Sequence, residues 1–150
     1  MPRSYTSLLV HYVFSTKNRE PMIDPDLQPR LFEYIGGLCR ARKSVLLAAG
    51  GMPDHTHLLV GLSKEESVAS FIGDIKSLSS GWVHKTFRNQ QKFKWQEGYG
   101  GFTVSYSAID AIKRYFVRQP IRHRRQTFKE EFVELLKNHK IEYDERYLWD

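Results

Sequence analysis

The sequence predicts an α+β fold of ferredoxin-like (RRM-like) type: an antiparallel sheet of about four strands packed with helices, with a tyrosine-bearing helix towards the C-terminus. Three observations carry this. Tyr5 to Thr16 is apolar at both parities, as in a central strand buried on both faces. Two segments repeat apolar residues at helical spacing, one through Leu27, Leu31, Tyr34, Ile35 and Leu38, the other through Val68, Phe71, Ile72, Ile75, Leu78, Trp82 and Val83. Between them, Val45 to Ala49 and Thr56 to Leu62 flank the turn-forming run Gly50-Gly51-Met52-Pro53-Asp54, a hairpin pattern. A fourth strand at Phe102 to Tyr106 completes the order βαββαβ.

Each element has its own start and stop signals. His11, inside the first strand, reads as a structural histidine. Pro21 and Pro25 break the chain, and Asp24 caps a helix that starts at Pro25 and ends near Lys43. Ser63 with Glu66 forms a capping-box pattern for the second helix, which runs towards Phe87. Arg88 to Tyr99 is a polar loop, and Gly98, Gly100 and Gly101 loosen the approach to the fourth strand. Ser107 caps a third helix from Ala108 to about Gln119, which Pro120 ends or kinks. Thr127 to Asn138 is a last helix, with Phe128, Phe132, Leu135 and Leu136 on one face and Glu130 or Glu131 favourably placed near its N-terminus.

The whole 150-residue chain reads as one domain, large enough to bury a core without metal or disulfide staples. Its apolar stretches fall short of the ~20 residues that cross a bilayer, and Pro2-Arg3-Ser4-Tyr5 leads into a β-like stretch rather than a signal peptide. The single cysteine, Cys39, reads as a helix-packing residue compatible with a reducing cytosol. A cytoplasmic protein without membrane association is expected. The net charge of +6 favours a polyanionic partner, and its source is local: Lys113 to Lys129 holds seven Lys or Arg and no acid, while the rest of the chain carries 16 basic and 17 acidic residues.

Chemistry concentrates in two places. His55 and His57, two apart in a strand, leave the same face and can converge on one metal ion or form a merely polar sheet face. Tyr115 and Gln119, four apart on a helix, point the same way, with Arg114 and Arg118 flanking the tyrosine. Trp95 and Tyr99 are either platforms for unpaired bases or filler at a loop hinge, and Lys76 either contacts phosphate or is solvated. No glycine spacing makes a phosphate loop, so no nucleotide cofactor is expected.

Taken together, several spaced motifs resemble the HUH single-tyrosine transposases of the insertion-sequence two-hundred/six-oh-five type, the short enzymes of the smallest bacterial insertion sequences. These motifs are Met52-Pro53-Asp54-His55-Thr56-His57-Leu58-Leu59-Val60, Lys76-Ser77-Leu78-Ser79-Ser80, Trp95-Gln96-Glu97-Gly98-Tyr99, Tyr115-Phe116-Val117-Arg118-Gln119, Thr127-Phe128-Lys129-Glu130-Glu131-Phe132 and Ile141-Glu142-Tyr143-Asp144-Glu145-Arg146-Tyr147-Leu148-Trp149. The resemblance implies Tyr115 as nucleophile, with His55, His57 and Gln119 as ligands of one divalent ion, Mg2+ or Mn2+. It implies cleavage and rejoining of single-stranded DNA through a 5′-phosphotyrosine, recognition of hairpin-bearing element ends, a homodimer assembled in cis or in trans, and a bacterial or archaeal cytoplasmic setting at the nucleoid. Lys76, Trp95, Tyr99, Arg114, Arg118, Arg122, Arg124 and Arg125 are the expected DNA contacts. Two departures stand out: Thr56 replaces the usual hydrophobic residue between the histidines, and Arg122 and Ile121 stand where a histidine and a glutamate are common. The competing readings are a non-catalytic single-stranded nucleic-acid-binding module, for which no RNP-like Lys/Arg-Gly-Phe/Tyr-Gly/Ala-Phe run is found, and a domesticated relative that processes repeated palindromes.

Overall fold

The structure, a computed structural model, describes residues 3–149. Its sheet is built from β1 (Leu9–Ser15), β2 (Val45–Met52), β3 (His55–Gly61) and β4 (Gly100–Thr103), all antiparallel in the order β2-β3-β1-β4. Two long helices, α1 (Leu27–Ala41) and α2 (Val68–Thr86), form the first core with Tyr12, Phe14, Leu58 and Val60 of the central strands. The opposite face is covered as well. There Val13 and Phe102 meet Phe128, Phe132 and Leu136 of a C-terminal helix, α5 (Phe128–Asn138). This is the expected α+β fold, and burial of β1 on both sides accounts for the apolar residues at both of its parities.

Several boundaries differ from the sequence reading, each for a local reason. The first strand begins at Leu9, not Tyr5, because its ladder partners end at Gly61 and Thr103; Tyr5 is exposed. The second strand continues through Gly50 and Gly51 to Met52, so the hairpin turn is only Pro53-Asp54, with Met52 paired to His55. Gly51 has φ +143°, where an added Cβ would run into the His55 carbonyl. Ser67, not Ser63, caps α2, accepting from the Ser70 N–H at 3.1 Å. Glu66 cannot close a capping box on Ser63, because its carboxylate is bonded to Arg42 at 2.9 Å and the Ser63 N–H donates to Ser44 Oγ at 3.0 Å. The fourth strand is Gly100–Thr103 rather than Phe102 to Tyr106, since the chain turns into a 3-10 turn at Tyr106–Ala108.

The tyrosine-bearing segment is two pieces: α3 (Ile109–Val117) and a single turn, α4 (Gln119–Arg122), separated at Arg118 with φ −87° and ψ 5°. Pro120 lies in the first turn of α4, where its missing N–H costs little, so the chain bends rather than stops. Thr127 and Glu130 form a reciprocal capping box at the start of α5. A short α6 (Glu145–Leu148) lies beyond it, so α5 is not the last helix. Among the described residues, no helix is long and apolar enough to cross a membrane.

Candidate active site

β3 alternates, placing His55, His57 and Leu59 on the face under the C-terminal helices and Thr56, Leu58 and Val60 towards α1 and α2. Thr56 therefore affects packing, not the histidine face, and its Oγ1 has no hydrogen-bond partner among the described residues. On β2, Gly50 pairs with His57. A Cβ at Gly50 would sit 2.8 Å from Phe116 Cβ and 2.9 Å from the Phe116 carbonyl oxygen. The absent side chain thus lets the end of α3 rest on the sheet, carrying Tyr115 and Gln119 over the histidines.

The four residues expected from the sequence do converge. Gln119 is fully buried, with Oε1 2.8 Å from His55 Nε2. The Tyr115 ring stands edge-on to His57 at 5.4 Å and 87°. What joins them is Glu131 of α5, only 1% exposed. Its Oε1 lies 3.3 Å from His55 Nε2, 3.2 Å from His57 Nε2 and 3.1 Å from His123 Nε2. Its Oε2 accepts from the Tyr115 hydroxyl and, at 2.8 Å, from Gln119 Nε2. Behind these groups, Asp54 Oδ1 accepts from His55 Nδ1 at 2.7 Å, and His11 Nε2 shares a 2.8 Å hydrogen bond with His57 Nδ1. Both inner nitrogens of the histidine pair are thereby held from behind, the arrangement that fixes ring orientation in metal sites.

Sequence reading missed Glu131, His123 and the His11 contact. One signal for Glu131 was available: on a helical projection it falls within the stripe of Phe128, Phe132 and Leu135, and an acid inside an apolar stripe demands buried partners.

Electrostatics follow the contacts. Burial alone would raise the Glu131 carboxyl, but hydrogen bonds from His123, His55 and His57 outweigh it and hold the group well below the usual carboxylate range. Burial likewise disfavours His55 protonation, yet the Asp54 and Glu131 carboxylates raise it to about 9. His57 is pushed down by burial against the pull of Glu131, and His11 is lowered to about 3 by burial and the neighbouring His57. The Tyr115 phenol is pushed up by burial and by the Glu131 charge, with Arg122 opposing.

The donor set fits a divalent cation. The ligand atoms of His55, His57 and Glu131 lie within 4.8 Å of one another, and Gln119 Oε1 faces the same point. These are two imidazole nitrogens, a carboxylate oxygen and an amide oxygen around a buried negative charge that a cation would neutralise.

The outlying residues divide. Arg114, Arg118, Ile121 and Arg122 surround Tyr115 in an open cavity of about 450 Å3, and the Arg122 guanidinium lies 4.8 Å from the centre of the tyrosine ring. Arg124 and Arg125 line a second cavity beside His123. Trp95, however, is no exposed platform: it is 5% exposed, packs edge-on against Phe14 and Phe93, and donates its Nε1–H to Ser79 Oγ at 3.0 Å. Lys76 is not free for phosphate either, since Nζ donates to the carbonyls of Glu97 at 3.2 Å and Gly98 at 2.7 Å, tying the loop to α2. Tyr99 is half-buried against Tyr12.

Burial lowers Lys76 to about 8, with Glu97 opposing. Between that value and the ordinary 10.5 the unfolded chain holds more protons than the folded one, so this lysine's contribution to stability rises with pH across the window. Wild type should therefore gain stability relative to Lys76→Met from pH 8 to 10 in denaturant titrations, whichever of the two is the more stable at pH 8. A relative loss over that range would contradict the assignment.

The family description "Transposase IS200 like" matches residues 4–119, a span that takes in both histidines, Tyr115 and Gln119 but ends before Glu131. No curated protein sequence matches. Among solved structures, the chain is similar to a candidate transposase from Deinococcus radiodurans, at 22% identity and TM-score 0.64, covering 79% of this chain and 95% of that one. It is also similar to a REP-associated tyrosine transposase bound to a REP hairpin, at 17% identity and TM-score 0.60, covering 82% of this chain and 73% of that one. These likenesses reach the fold, and the family match over residues 4–119 supplies the rest: the chain belongs to the IS200-like transposases.

Proposed function

We propose that the protein cleaves and rejoins single-stranded DNA by an HUH single-tyrosine mechanism, with Tyr115 as the nucleophile. The observation that carries this reading is the shared centre: the Tyr115 hydroxyl, both histidines and Gln119 all meet at one buried carboxylate, Glu131. A binding module has no need to gather five polar side chains, four of them buried, at one point, and their desolvation would be a net cost to it.

His55, His57 and Gln119 would hold one divalent ion, Mg2+ or Mn2+, with Glu131 as a fourth donor the sequence reading did not include. The ion supplies polarisation and orientation of the scissile phosphate. With Glu131 among the donors, the set would bring one negative charge to the ion and moderate its double positive charge. The chain's own residues do the rest. Asp54 and His11 keep the two imidazoles turned towards the centre, Gln119 fixes Glu131, and Arg122 lies against the tyrosine ring to offset phenolate charge. In the forward step a bond forms from the phenol oxygen to phosphorus as the bond to O3′ breaks, and the phenolic proton finally resides on the released 3′-hydroxyl. Rejoining is the reverse, so no ATP is consumed.

The substrate proposed is single-stranded DNA carrying a hairpin, in line with the hairpin held by one structural neighbour, and the working species proposed is a homodimer. Wild-type protein incubated with Mn2+ and a labelled hairpin-bearing strand should give an SDS-resistant protein–DNA adduct, suppressed by EDTA. Absence of the adduct with true element ends, or its persistence in EDTA, would overturn the reading.

A further inference from the structure

The cavity beside His123, about 660 Å3 and within the range of ligand sites, lies between the Pro53-Asp54 turn and the segment joining α4 to α5. It shares two walls with the active centre. Asp54 is the residue bonded to His55 Nδ1, and the Phe128 ring stacks on His55 at 4.5 Å and 27°. Tyr115 approaches from the other side, against His57 and Arg122. In phosphoryl transfer the attacking and leaving oxygens are roughly in line across phosphorus. A phosphate held at the centre and attacked from the His57 side would therefore release its O3′ towards the His55 side, where this cavity lies behind Asp54, His123 and Phe128.

The chemistry of the cavity suits what would arrive there. Arg124 and Arg125 are exposed at its rim and, among the described residues, neither has a carboxylate within salt-bridge distance. Pro21, Met52 and Pro53 offer apolar surface to a sugar or base. The acids nearby are turned to internal partners: Asp54 to His55, and Glu130 to the Thr127 N–H at 3.1 Å and its hydroxyl at 3.0 Å.

We infer that this cavity is a subsite for the DNA nucleotides on the 3′-hydroxyl side of the cleaved phosphate, holding the departing end in place for rejoining. The inference rests on Tyr115 as nucleophile and adds the side of the centre from which the strand leaves.

The test uses full-length wild type and the Arg124→Ala/Arg125→Ala double variant, whose melting temperatures are compared first. Fluorescence anisotropy is measured with the hairpin strand spanning the mapped cleavage site, and with the same strand truncated so that it lacks the nucleotides on the 3′-hydroxyl side. The double variant should bind the spanning strand about tenfold more weakly and the truncated strand within twofold of wild type. Its slope of log affinity against log salt for the spanning strand should fall by about 1.4, the release expected for two single-strand phosphates. In a second measurement, pre-formed adduct is reversed by adding a short oligonucleotide ending in a 3′-hydroxyl; the variant should need a roughly tenfold higher concentration. Equal weakening of both strands, or unchanged reversal, overturns the subsite while leaving the nucleophile standing. No adduct from wild type overturns both. Should the double variant be unstable, Arg124→Gln alone is expected to show about half the change in salt slope, and no change counts against the subsite.

Discussion

Tyr115→Phe should abolish the covalent adduct, lowering strand cleavage by at least ~10^4-fold, a loss of the size seen when a covalent nucleophile is removed. The substitution keeps the ring against His57 and under Arg122, so the packing at the end of α3 survives. What goes is the hydroxyl bonded to Glu131 Oε2, an oxygen that retains the Gln119 N–H. The stability cost should therefore be modest, about 1 kcal/mol. Hairpin affinity should hold within a few fold by anisotropy, because the proposed binding would rest on phosphate contacts rather than on the phenol. An adduct that persists in this variant would sink Tyr115 as nucleophile.

Glu131→Ala should be the most destabilising substitution at the centre, by about 3–5 kcal/mol, because it removes the one carboxylate shared by three imidazoles, a phenol and an amide. Glu131→Gln keeps the volume and separates charge from packing. In EDTA, the stability gap between wild type and Glu131→Gln should depend on pH in a definite sense. The carboxyl is held below its ordinary 4.5, so its contribution is present above that value and is lost as pH falls towards the lower folded one. His55 is raised from 6.5 to about 9, so the contribution of its charged form is present below 6.5 and is lost as pH rises through 9. The gap should thus be widest between about pH 4.5 and 6.5, measured by urea titration. Calorimetry with Mn2+ should show at least a tenfold loss of affinity in the Gln variant, on the scale of lost partners in metal sites. Unchanged Mn2+ affinity would remove Glu131 from the donor set.

Both substitutions bear on how much of the site could be read from the chain. His55 and His57 were legible because strand alternation fixes their common face, and Tyr115 with Gln119 because a spacing of four residues survives the bend at Arg118. Their convergence depends on Gly50, which looked like a turn residue and is a contact point inside a strand. Glu131 was hidden for a different reason. Its partners are 74 residues away at His57 and 16 away at Tyr115, and no local pattern records that α5 crosses the open face of the sheet. Trp95 and Lys76 show the converse case, in which an aromatic residue in a loop and a basic residue on α2 suggested DNA contacts. A bridge from Thr16 to Trp95 pulls that loop into the core, and the lysine is consumed in holding it there.

The bare α-carbon at residue 50 sets the height of the tyrosine above the histidines through one backbone-to-backbone seat. Everything reactive in the centre could be left untouched and the enzyme still silenced by a single methyl placed under Phe116, which would lift the helix as a wedge lifts a beam. The spacing on which the proposed chemistry depends is therefore inherited from a residue that carries no functional group.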